Sequence, residues 1–81
     1  MRLAAKQGYA KAQTALGALY NDGRGVPQDY VKAYMYLDLG AASGDRLAAK
    51  LRDSLAARMT RAQIAEAQQW AEQFRPQAVA P

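Results

Sequence analysis

Eighty-one residues without cysteine or histidine exclude a disulfide framework, and they leave a nucleophilic relay or a transition-metal site few candidates. A chain this short makes one small domain that buries only ~60% of the surface its unfolded form exposes, so stability has to come from helix packing or association. The net charge of +4, from 11 Lys and Arg against 7 Asp and Glu, is spread along the chain. Its densest group (Arg46, Lys50, Arg52, Arg58, Arg61) is interrupted by Asp45 and Asp53, a pattern of solvated surface rather than of a phosphate-binding face.

The amino terminus has no apolar core of signal-peptide length, and no run approaches the ~20 apolar residues of a membrane span. The chain as it stands therefore reads as unexported and cytoplasmic, with no membrane partner; a longer, exported parent protein would change that expectation.

Residues 1–8 read as the end of a preceding helix, stopped at Gly8 by a left-handed residue. From Tyr9 a new helix is expected to about Asn21, with Ala12, Leu16, Leu19 and Tyr20 on one face at the helical period. Gly17 lies beside that stripe and lets a second helix come close. Asp22-Gly23-Arg24-Gly25 breaks the helix with two glycines able to take positive φ, Val26 fills the apolar gap, and Pro27 holds Val26 extended. Asp29 is placed to cap a helix from Tyr30 to about Ser43, whose Tyr30, Ala33, Tyr34, Leu37 and Ala41 meet the first apolar face across the turn. The result is an αα-hairpin. With Lys32 and Asp38 as its only charges, the second helix needs neighbours on more than one side.

Gly44 is expected to end that helix, and Ala41-Ala42-Ser43-Gly44 echoes Ala5-Lys6-Gln7-Gly8 at a spacing of 36 residues, a partial internal repeat. Asp45 then caps a third helix to about Met59, with Ala48, Leu51, Leu55 and Met59 on one face. Thr60-Arg61-Ala62-Gln63 has the form of a capping box and opens a last helix lined by Ile64, Ala67, Ala71 and Phe74, with Trp70 beside them. Pro76 closes it, and 77–81 reads as a disordered tail.

Ala12-Gln13, Leu16-Gly17, Tyr20, Gly23-x-Gly25-Val26-Pro27-Gln28-Asp29-Tyr30, Lys32-Ala33, Tyr36 and Ala41-Ala42-x-Gly44 together resemble the Sel-one-like repeat, a relative of the tetratricopeptide repeat. The resemblance covers one complete repeat, residues 9–44. Residues 45–59 read as a partial repeat and 60–75 as a capping helix, similar to the closing segment of many bacterial members. Gly40 stands where the family usually has alanine, which should loosen the helix. The resemblance implies an all-α, short right-handed solenoid of αα-hairpins that serves as an adaptor or scaffold for other proteins, in a family with signalling, envelope and host-interaction roles.

Repeat units usually need about three copies to bury their faces, and one and a half are present. Either the chain is a fragment of a longer array, or an apolar face of Leu3, Ala4, Leu16 and Leu19 is covered by a second copy in a homodimer. The second is preferred, because an exposed stripe of this kind behaves as an interaction patch.

If a groove exists on the concave side, Gln13, Thr14, Asn21, Ala49, Arg52 and Asp53 are expected to line it and hold another protein or peptide; plain solvated helix surface is the competing reading of the same residues. The tyrosines at 20, 30, 34 and 36 are assigned to packing on their periodicity rather than to a ligand-stacking strip, and Tyr9 to the surface. The two-glycine turn reads as structure rather than as a phosphate cradle, since Asp22 and Asp29 repel an anion. No catalytic residue, cofactor or metal is expected. The leading function is a non-catalytic protein-interaction or scaffold module that self-associates; the alternatives are a small basic nucleic-acid-associated regulator, with nucleic acid the less favoured partner, and an assembly unit that binds only itself.

Overall fold

The computed structural model describes residues 2–74, with side chains from Gly8 onward. Four α-helices account for it: α1 (Arg2–Asp22), α2 (Tyr30–Ala42), α3 (Arg46–Ala56) and α4 (Arg61–Phe74), with no strand among the described residues. The side chains of Leu3 and Ala4 and the tail at 77–81 lie outside the described residues.

α1 corrects one expectation. It runs unbroken through Gly8, whose φ is not positive, whereas Gly23, Gly25 and Gly44 take φ of 70°, 72° and 105°. The residues on the carboxyl side of each glycine make the difference. Gly44 precedes Asp45, whose side chain accepts from the Leu47 N–H at 3.0 Å and caps α3. Gly8 precedes Tyr9-Ala10-Lys11, which offers no cap and propagates a helix well. At Gly44 the Asp45 N–H donates to Gly40 C=O and the Gly44 N–H to Ala41 C=O, each at 3.0 Å, the paired bonds of a Schellman stop. The expected echo between Gly8 and Gly44 therefore does not extend to backbone conformation.

The glycine turn after α1 satisfies the carbonyls that a helix end leaves open. Gly23 and Arg24 N–H groups both donate to Leu19 C=O (2.8 and 3.1 Å), the Asp29 N–H donates to Tyr20 C=O (3.0 Å), and Gln28 Nε2 donates to Asn21 C=O (2.8 Å). Asp29 then starts α2 by accepting the Lys32 N–H at 3.1 Å. α3 stops at Ala56 rather than Met59, because the chain tightens into i→i−3 bonds, Arg58 N–H to Leu55 C=O and Met59 N–H to Ala56 C=O. The capping box forms as the sequence requires: Gln63 N–H to Thr60 Oγ1 at 3.1 Å, and Thr60 N–H back to Gln63 Oε1 at 2.9 Å.

α2 is the central helix and packs against α1, α3 and α4. Its sparse charge makes this possible, because a helix apolar on most sides finds its free-energy minimum only when surrounded. Ala33, Tyr34, Leu37, Ala48, Leu55 and Ala67 form the main core, and Met35, Leu39 and Ala71 a second cluster toward α4. Leu37, 1% exposed, is the largest side chain removed almost completely from water, worth about 1.5–3 kcal/mol relative to exposure.

The face that α1 turns inward is not its leucine stripe. Ala10, Thr14 and Gly17 are buried, while Leu16 and Leu19 are each 38% exposed and Ala12 is exposed. Small residues win because the helices approach very closely: a Cβ built on Gly17 would lie 2.6 Å from Leu37 Cγ and 3.1 Å from Ala33 C=O. Gly40 does the same on α2, where a Cβ would meet Thr14 Oγ1 at 2.7 Å and both Ala10 C=O and Ala48 Cβ at 3.1 Å. Gly40 thus brings α1, α2 and α3 together rather than loosening its helix.

Candidate functional site

The six residues expected to line a concave groove differ in burial and in partners. Thr14 is only 7% exposed, and its hydroxyl lies 2.9 Å from Ala10 C=O and 2.6 Å from Asp45 Oδ2; it ties α1 to the start of α3 and cannot line a surface groove. The same bond is the first cause of the lowered pKa of Asp45, ahead of the opposing effect of burial. Arg52 is drawn into an ion pair with Asp38 on α2 at 2.9 Å, with Asp53 at 3.3 Å. Burial disfavours its charge, but hydrogen bonds to the two carboxylates leave its pKa raised. The densest basic group of the chain is therefore partly neutralised from within. Gln13 and Ala49 are half-buried. Asn21 alone of the six lines the small cleft between α1 and α3, about 170 Å³, where it faces Leu51, Ser54 and Arg58.

A larger concavity, about 530 Å³, opens on the other side of the fold, where α4 and the end of α1 flank α2. Its wall is aromatic. Tyr20 and Tyr36 stack with ring centroids 5.6 Å apart and planes 11° apart, and Trp70 and Phe74, one turn apart on α4, stack at 5.9 Å and 27°. Val31 and Met35 supply aliphatic lining, and Asp29, Lys32 and Glu66 the charges. Trp70 and Phe74 stay 43% and 55% exposed, although α4 was expected to bury Phe74 alongside Ala67 and Ala71.

Periodicity separated these aromatics only in part. Tyr34 is buried as assigned, while Tyr20, Tyr30 and Tyr36 are half-buried, as is Tyr9. The usable signal was the i, i+4 pair Trp70 and Phe74 on the last helix. Such a pair marks an open surface once Ala67 and Ala71 are recognised as the residues that touch α2.

A family model, the Sel1 repeat, matches residues 10–45, from the buried Ala10 of α1 through the α2 stop to the cap of α3. The chain contains a Sel1 repeat. Within the matched residues lie the turn whose glycines and Asp29 close the end of α1, and the α1–α2 contact at Gly17. No curated protein matches the chain. The aromatic groove draws Tyr20, Val31, Lys32, Met35 and Tyr36 from the Sel1 repeat, and Glu66, Trp70 and Phe74 from the helix beyond it. Among the described residues no group of His, Cys, Asp or Glu is placed to hold a metal ion, and no helix is long and apolar enough to cross a membrane.

Proposed function

We propose that this Sel1 repeat protein is a non-catalytic protein-binding module, with the α2–α4 groove as its main contact surface. The observation that carries this is the pair Trp70 and Phe74, stacked on each other and left open to water beside Tyr20 and Tyr36. Aromatic side chains around a recess supply large contact area at low entropic cost and are enriched where proteins bind each other. Self-association is the second part of the reading: Leu16 and Leu19 are exposed on α1 and do not line this groove, and a second copy covers them.

Light scattering on the purified chain over a tenfold concentration range tests the second part. A molar mass rising toward twice that of the monomer supports self-association, and a constant monomer mass ends it. Partner binding at the groove is tested independently by substitution of Trp70. Trp70→Ala is expected to leave the helix content intact and to abolish capture of any partner whose binding the groove mediates; a partner that binds the variant unchanged places the contact elsewhere.

A further inference from the structure

We infer that the α2–α4 groove receives an arginine side chain, with an apolar neighbour, from an extended segment of a partner protein, the guanidinium lying on Trp70 and pairing with Glu66. The inference rests on the protein-binding reading and names what the site selects.

Charge comes first. The chain carries +4 overall, yet the groove is lined by two carboxylates, Asp29 and Glu66, against one ammonium, Lys32. The lining thus carries one net negative charge on a positive chain, which favours a cation over a phosphate. Lys32 shows what its walls accept, since Nζ lies 5.5 Å from the centroid of the Tyr20 ring, in cation–π range. Asp29 has committed Oδ1 to the Lys32 N–H at the start of α2. Glu66 is exposed and takes part in none of the described ion pairs, so it is the carboxylate open to an incoming cation.

Geometry then selects the kind of cation. Glu66 and Trp70 are four residues apart on α4, which sets their Cβ atoms about 5–6 Å from each other on the same face. A planar guanidinium stacked on the indole presents its N–H fork at that range, whereas an ammonium has no plane to stack and no fork to match the carboxylate. Phe74 continues the wall past Trp70, and Val31 and Met35 lie in the same recess, a place for the apolar residue next to the arginine.

Trp70 is the only tryptophan of the chain, so its fluorescence reports this groove directly. The test titrates the full chain with acetyl-Ala-Leu-Arg-Leu-Ala-amide and with the same peptide carrying citrulline, which keeps the shape of arginine without its charge, to about 5 mM, the range of weak single-site contacts. The expected result is a saturable change with the arginine peptide and binding weaker by about tenfold or more with the citrulline peptide, as for loss of a charge-assisted pair. Glu66→Gln, at an exposed position and checked for native helix content, is expected to remove most of that preference. Backbone amide shifts should concentrate on α2 and α4.

Equal affinity for the two peptides overturns the arginine assignment while leaving a protein-binding groove in place. An arginine preference that survives Glu66→Gln, or shifts confined to the α1–α3 cleft, overturns the site. No saturable change with either peptide overturns the inference altogether, and the self-association measured by light scattering then stands or falls by itself.

Discussion

The Thr14 hydroxyl donates a hydrogen bond of 2.6 Å to the Asp45 carboxylate across 31 residues of sequence. A hydroxyl has one proton to give, and the carboxylate is the stronger acceptor and the nearer one, since Ala10 C=O lies at 2.9 Å. The bond joins the middle of α1 to the residue that both ends the α2 stop and caps α3, so one contact connects three helices.

Thr14→Val keeps the shape and removes the donor, and is expected to cost about 1 kcal/mol, read by urea unfolding at neutral pH. The pH dependence has a definite sign. The pKa of Asp45 is lowered in the folded chain from 3.8, so its contribution is complete above the unfolded value and is lost as pH falls through the lower folded value. The stability gap between wild type and Thr14→Val should therefore be constant near neutrality and narrow below about pH 3.8. A gap that widens in acid contradicts the assignment.

Glycine to alanine usually stabilises a helix interior by about 0.5–1 kcal/mol. Gly17→Ala and Gly40→Ala should do the opposite, each losing about 1–3 kcal/mol, because the added methyl meets Leu37 and Ala33 C=O in one case and Thr14, Ala10 C=O and Ala48 in the other. Gly8→Ala is the control: among the described residues nothing lies within 4 Å of its Cβ position, and the variant should gain stability. Thermal unfolding of the three variants separates close packing from intrinsic propensity.

Arg52→Gln breaks the bridge from α3 to Asp38 on α2. The pair is partly exposed, so the expected loss is small, about 0.5–1 kcal/mol, and should shrink as salt is raised. A larger, salt-independent loss would indicate that the aliphatic stem of Arg52, not its charge, supports the α2–α3 contact.

Leu19→Lys places a charge at an exposed position of α1. If a second copy covers Leu16 and Leu19, the variant should stay monomeric at concentrations where the wild type associates, with its helix content unchanged. Light scattering and far-ultraviolet circular dichroism on the same samples decide between loss of association and loss of fold.

Local chain chemistry was enough to place most helix boundaries. Asp29, Asp45 and the Thr60–Gln63 box begin helices, and Gly23 and Gly44 end them, because each satisfies open backbone groups of neighbours only a few residues away. The Sel1 repeat was legible for the same reason, its turn being a contiguous run of residues with fixed backbone demands. Gly8 misled because a glycine stops a helix only when its carboxyl-side neighbours complete the stop. Which face of α1 points inward was decided by close approach to α2, where Gly17 and Thr14 fit and Leu16 and Leu19 do not. The aromatic groove likewise belongs to tertiary structure. Tyr20, Tyr36 and Trp70 come from three helices, and their joint recess exists only because Ala67 and Ala71 hold α4 against α2 and leave the larger rings of that helix open to solvent.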